Sequence, residues 1–152
     1  MDTTRNNYMN LAFVEAKLAA SLGESPVGAV LVEGNTGKII ASSGNRMRYT
    51  NNPLAHAEMN VIQMGAEKLR SLRLVGCDLY VTLEPCPMCA QGISLARIRR
   101  LYFGTTDPKG GGVESGPQIF SQSTCHHKPD VYGGIDDVRS RRLLKSFFAA
   151  KR

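Results

Sequence analysis

A three-layer α/β/α fold, with a central mixed sheet of five strands and helices on both faces, is the class this 152-residue sequence predicts. Three observations lead there. Short, β-branched-rich apolar runs alternate with segments whose apolar residues recur at helical spacing. Gly, Pro and Asn clusters separate the two kinds of segment, where turns are needed. A hydrophobic content of 42% with 21% charged residues is ordinary for one globular domain over residues 1–152. A chain of this length buries roughly two thirds of its unfolded surface.

The elements follow in order. Residues 3–22 read as a helix, with Met9, Ala12, Phe13, Ala16 and Ala20 on one face and Gly23 as its cap. Residues 27–33 and 38–43 pair as a hairpin through Gly34-Asn35-Thr36-Gly37. Pro53 is expected to open a second helix running to about Leu69, with His56 and Glu58 in its first turn. Residues 77–83 form a buried strand, after which Pro85 is expected to start a third helix that carries Cys86 and Cys89 and ends near Arg97. A strand at 101–104 leads into the Gly-, Ser- and Pro-rich stretch 105–129, read as a long functional loop with room for one short helix. A last strand at 131–135 and a closing helix at 136–151 complete the chain.

Composition narrows the function classes. No apolar run approaches the roughly 20 residues that span a bilayer, and the polar N-terminus lacks a signal-peptide layout. A cytoplasmic protein without membrane association is expected. Four cysteines in such a setting read as thiols rather than disulfides. A net charge of +6 favours a polyanionic partner without requiring one.

The chemistry lies in two short stretches, His56-Ala57-Glu58-Met59 and Leu83-Glu84-Pro85-Cys86-Pro87-Met88-Cys89. His56, Cys86 and Cys89 offer three ligands of the types zinc takes, leaving the fourth tetrahedral position open. A closed site with four protein ligands holds a fold together, whereas three ligands plus water can do chemistry. Helix N-termini favour thiolate over thiol, and residues three apart on a helix share a face, so the two cysteines can grip one ion. Glu58 is not needed as a ligand and can shuttle protons. By itself, a Glu in a first turn is a solvated, dipole-favoured residue, and a lone Cys-x-x-Cys divides between structural zinc, redox chemistry and chance. The combination of His-x-Glu with Pro-Cys-x-x-Cys is the pattern of zinc-dependent base deaminases.

Other features are weaker. Cys125-His126-His127 reads as a structural or substrate-facing loop before it reads as a second metal cluster. Cys77 reads as a small core residue. Gly110-Gly111-Gly112 lacks the Lys-Ser/Thr of a phosphate loop and is taken as a turn. Phe147 and Phe148 divide between core packing and stacking on a base.

The motifs resemble the cytidine deaminase superfamily, and within it the bacterial tRNA-specific adenosine deaminases. The likeness runs over most of the chain: Pro26 to Val32, Gly44-Asn45-Arg46, Ala55-His56-Ala57-Glu58, Leu79 to Cys86, Ala96-Arg97-Ile98, and Gly104 to Gly111 all fall in the same order. Ser25 stands where the family commonly has an apolar residue. The resemblance implies a cytidine-deaminase-like fold, one Zn²⁺ per subunit on His56, Cys86 and Cys89, and Glu58 as proton shuttle. It implies substrate contacts from Asn45, Val27, Ala57, Phe147, Phe148 and Arg152. It further implies a homodimer that binds a tRNA anticodon stem-loop and converts the wobble adenosine, foremost in the arginine acceptor with an ACG anticodon, to inosine. The alternatives are a zinc deaminase of a free base or nucleoside, such as guanine or cytosine, and a non-catalytic zinc-stabilised RNA-binding module.

Overall fold

The computed structural model describes residues 3–151, with side chains from Asn7 onward. The first helix, α1, runs Thr3–Ser21, and Gly23 beyond it sits at φ +81°, where the Glu24 N–H reaches back to the Ala19 carbonyl at 3.0 Å. Strands β1 (Gly28–Glu33) and β2 (Ile39–Gly44) form the expected antiparallel hairpin, with a bulge between Leu31 and Val32. Strand β3 is Cys77–Leu83, β4 is Arg100–Thr105 and β5 is Asp130–Tyr132. The sheet has five strands in the order β2-β1-β3-β4-β5, antiparallel on the hairpin side and parallel from β3 outward.

Both faces of the sheet are covered, so the inner strands read as continuous apolar runs. Val30, Val32, Tyr80 and Tyr102 point to the face closed by Met9, Ala12 and Phe13 of α1. Ala29, Leu31, Leu79, Val81, Leu101 and Phe103 point to the other. That second face is closed by α2 (Ala57–Leu69) and α3 (Pro87–Leu95), through Ala57, Val61, Ala90 and Ile93. The last helix, α4 (Asp137–Ala150), packs over β4 beside α1. The predicted three-layer architecture is thus present.

Three element boundaries differ from expectation. Helix α2 begins at Ala57 rather than Pro53, because residues 47–54 are spent on turns, and His56 is its extended N-cap. Helix α3 begins at Pro87 rather than Pro85: Pro87 takes the first helical position and Cys86 is the N-cap at φ −70°, ψ 170°. Strand β5 is only Asp130–Tyr132, since Gly134 turns away at φ +78°. The long segment 105–129 contains a single 3-10 turn, Ile119–Ser121. No helix among the described residues is long and apolar enough to cross a membrane.

Candidate active site

The ends of β2 and β3 and the starts of α2 and α3 meet on one side of the sheet, and the two N-caps bring the ligand-type side chains together. His56 Nδ1 lies 3.6 Å from Cys86 Sγ and 3.5 Å from Cys89 Sγ. All three ligand atoms are within 4.8 Å of one another, and this is the one such cluster among the described residues. Tetrahedral zinc with Zn–N near 2.0–2.1 Å and Zn–S near 2.3 Å separates nitrogen from sulfur by about 3.6 Å. The observed spacings fit that ion. The donor chemistry fits as well. Cys86 is pulled down to about 4, first by a hydrogen bond from Cys89 and then by His56. Cys89 is pushed far up by that same bond to Cys86 and by burial. Both sulfurs can be thiolates together only with a cation between them, which is the role of a divalent metal.

Glu58 sits in the first turn of α2 and is only 4% exposed. Burial lifts its carboxyl to about 7, a value suited to proton transfer near neutrality. A cavity of about 1420 Å³ opens over this group, lined by His56, Glu58 and Cys86 and by Val27, Asn45 and Ser25. Its wall also carries the cations Lys109, Arg141, Arg142 and Lys145 beside the acids Glu84 and Asp107. Cys89 lies behind it, fully buried.

The remaining expected residues divide. Asn45 is buried and lines the cavity, and its Oδ1 accepts the Ala57 N–H at 2.7 Å, which fixes its orientation. Its Nδ2 makes no hydrogen bond among the described residues. Ala57 is fully buried with its N–H engaged by Asn45, so it ties the helix start to β2 and does not line the cavity. Phe148 lines the cavity and is 49% exposed, whereas Phe147 lies edge-on to it at 5.4 Å with Lys151 above its own ring at 4.6 Å. Arg152 falls outside the described residues. Cys125 and His127 are structural: Ser94 Oγ donates to the His127 carbonyl at 2.7 Å, and His127 Nε2 meets the Ile98 carbonyl at 2.6 Å. Cys77 is buried in the core, and Arg99 pairs with Asp78 at 2.8 Å.

Two buried carboxylates were not legible as site residues. Glu84 Oε2 accepts the N–H groups of Val113, Glu114 and Ser115 at 2.9–3.1 Å, and Oε1 accepts the Asp107 N–H and the Ser115 hydroxyl at 2.8 and 2.9 Å. It thereby fixes the loop that contributes Thr105 to Gly110 to the cavity. Gly111 and Gly112 belong to this lock: a Cβ on Gly111 would stand 2.5 Å from the Glu84 carboxylate, and one on Gly112 2.5 Å from Pro87 N. Glu24 does the same for the turn after β2. The only available signal is an acid just beyond the end of a helix or strand, which is too common to single out.

Residues 2–105 match the family described as the cytidine and deoxycytidylate deaminase zinc-binding region. The tRNA-specific adenosine deaminase of Agrobacterium fabrum is 57% identical over 148 residues, which is 97% of this chain and 96% of that one. That of Bacillus subtilis is 41% identical, with 93% and 86% covered. Among solved structures, a tRNA:A34 deaminase from a study of A-to-I editing at the wobble position of transfer RNA superposes with a TM-score of 0.89 at 57% identity, covering 91% of this chain and 99% of that one. A guanine deaminase from Nitrosomonas europaea superposes at 0.77 with 20% identity, covering 93% and 83%, and shares the fold alone. With the site geometry and these likenesses together, the chain belongs to the cytidine and deoxycytidylate deaminase family, in its branch of tRNA-specific adenosine deaminases.

Proposed function

We propose that this protein is a zinc-dependent hydrolase that converts the wobble adenosine of a tRNA to inosine, foremost in the arginine acceptor with an ACG anticodon. The observation that carries the reading is the seat of Glu58, buried beside the His56, Cys86 and Cys89 triangle on a cavity to which α4 contributes Arg141, Arg142 and Lys145. The 57% identity to a tRNA-specific adenosine deaminase supports the substrate class.

Held by His56, Cys86 and Cys89, Zn²⁺ would supply Lewis-acid activation of a water at its fourth position. Glu58 carries the protons. With a carboxyl near 7, both its forms are accessible at neutral pH. As a base it takes a proton from the attacking water, and as an acid it delivers one to a ring nitrogen of adenine. It then takes the remaining proton of the added hydroxyl and passes it to the departing amine, so water is added, ammonia leaves and a carbonyl remains. Asn45 Nδ2 would donate to the flipped base or its ribose, and Val27 and Phe148 would give it apolar surface. Ala57 contributes by holding Asn45 through its N–H.

An adenosine in a loop is the cheapest to flip out of its stack. Arg141, Arg142 and Lys145 would meet the phosphates, so affinity falls as salt rises. A homodimer belongs to the same reading: Leu72, Val75 and Leu95 are 91%, 75% and 66% exposed in segments joined by the Leu74 N–H to Ala96 carbonyl bond. That apolar surface gives a second subunit something to cover. A cytoplasmic location follows from the substrate.

The test is product analysis by mass spectrometry, with ammonia release from an anticodon stem-loop, adenosine, guanine and cytidine measured side by side. Inosine at the wobble position and slow reaction of free adenosine are expected. Fast, salt-insensitive turnover of guanine or cytidine with no inosine in RNA would hand the site to the small-molecule reading.

A further inference from the structure

The turn between β2 and α2 is exposed and yet fixed. Glu24 is only 2% exposed and spends both carboxylate oxygens on this turn: Oε1 accepts the Arg48 N–H at 3.1 Å, and Oε2 accepts those of Arg48 and Tyr49 at 3.0 and 2.9 Å. The Thr50 N–H to Arg46 carbonyl and Asn52 N–H to Met47 carbonyl bonds, at 3.0 and 2.9 Å, close it further. A carboxylate withdrawn from water is tolerated only where aligned donors replace its hydration. Here those donors belong to surface backbone, so the buried acid sets the shape of an exposed turn.

What the turn holds outward is Tyr49, which is 78% exposed. Its ring lies beside Arg46, whose guanidinium carbon is 5.8 Å from the ring centroid. Arg46 and Arg48 are both exposed. Met47 of the same turn and Asn45 just before it line the cavity. An aromatic face preceded in sequence by two cations, Arg46 and Arg48, therefore stands two residues from the cavity wall, on backbone ordered in advance. Among the described residues neither core packing nor an ion pair accounts for it.

We propose that this turn is a base-stacking subsite for a nucleotide adjacent to the deaminated one, with the Tyr49 ring as the stacking face and Arg46 and Arg48 toward the neighbouring phosphates. The inference rests on the tRNA reading above. Drawing one base out of a loop deprives its neighbours of their stack, and an aromatic ring restores that contact whatever the base is. A guanidinium near the ring adds attraction for the same ligand. The Glu24 clamp removes the ordering cost that a loose loop would carry into the complex.

The experiment uses an anticodon stem-loop carrying 2-aminopurine at the nucleotide before or after the target adenosine. Binding to the wild type and to Tyr49→Phe lowers the probe's emission at one of the two positions, and Tyr49→Ala leaves it high. Tyr49→Ala raises the dissociation constant by about 5- to 150-fold, the range of one lost base–aromatic stack. Tyr49→Phe restores most of that affinity, kcat at saturating RNA moves far less than KM, and zinc content and melting temperature stay at the wild-type value. Unchanged affinity and emission in Tyr49→Ala, while the wild type binds and deaminates the same RNA, overturns the subsite and leaves the tRNA reading standing. A wild type that neither binds nor deaminates the stem-loop overturns both.

Discussion

Replacing Glu84 by Gln exchanges one carboxylate oxygen for an NH₂ and should loosen one whole wall of the cavity. A carboxamide has one oxygen where the carboxylate has two. If that oxygen takes the Oε2 position, it keeps the Val113, Glu114 and Ser115 N–H groups, but as neutral rather than charge-assisted bonds. The new NH₂ then faces the Asp107 N–H, donor against donor, while the Ser115 hydroxyl can turn and accept. A buried donor left unpaired costs about 1–3 kcal/mol, and weakening three charged bonds adds to that without simple additivity. A total of about 2–4 kcal/mol corresponds to a fall of roughly 5–15 °C in Tm for a chain of this size. Burial alone would raise the Glu84 pKa, but the N–H groups of Asp107 and Ser115 and the Ser115 hydroxyl outweigh it and hold the carboxyl below its ordinary value. A depressed folded pKa gives stability that is complete above the unfolded value and is lost as pH falls through the folded one. The gap between wild type and Glu84→Gln should therefore be full at pH 7 and narrow in acid. Denaturant melts over pH, with amide exchange at 107 and 113–115, measure it. Equal melting and equal amide protection at pH 7 would show that the five bonds do not hold the loop.

Three further outcomes are expected. Wild-type protein should carry about one zinc per chain, and the Cys86→Ala Cys89→Ala double variant should lose it by elemental analysis; full occupancy there would mean that the ligands are elsewhere. Glu58→Ala should keep zinc and fold while turnover drops by at least the roughly 10²–10⁴-fold of one general acid–base, whereas loss of metal in that variant would make Glu58 a ligand. Phe148→Ala should raise KM for the stem-loop more than Phe147→Ala does, since only Phe148 lines the cavity; equal effects would return both rings to a packing role.

The periodicity of the chain made the architecture legible because both faces of the sheet are covered and the apolar code is strong. Five strands and four helices stand where expected, and His56, Cys86 and Cys89 converge as their spacing implied. The helix starts were misplaced for one physical reason. Pro53 and Pro85 carry the proline signal of a first helical residue, but the turn 47–54 and the extended Cys86 come first and set the two N-caps toward each other. The roles of Glu24 and Glu84 were not legible, because their partners are backbone N–H groups far along the chain. Asp107 lies beyond a strand from Glu84, and Arg48 beyond a hairpin from Glu24. Side-chain type says nothing about which peptide group will arrive. Phe147 and Phe148 are adjacent in a helix, so only the packing of α4 decides which ring meets the cavity.

The same two acids answer a difficulty that any open site raises. A wall facing a wet cavity of this size cannot be fixed by apolar burial, since one of its sides must remain in solvent. The chain fixes it from behind instead, with acceptors withdrawn from water and aimed at backbone. Glu24 holds the turn at 48–49, Asn45 holds the start of α2, and Glu84 holds 107–115. Each joins segments distant in sequence through a polar contact at the rim of the cavity. Such bonds are strong only while water is kept out, so a small opening at one wall weakens its clamp and widens the opening further. Local loosening of these walls should therefore precede global unfolding, and loss of substrate positioning should appear in conditions where the sheet and its two cores are still intact.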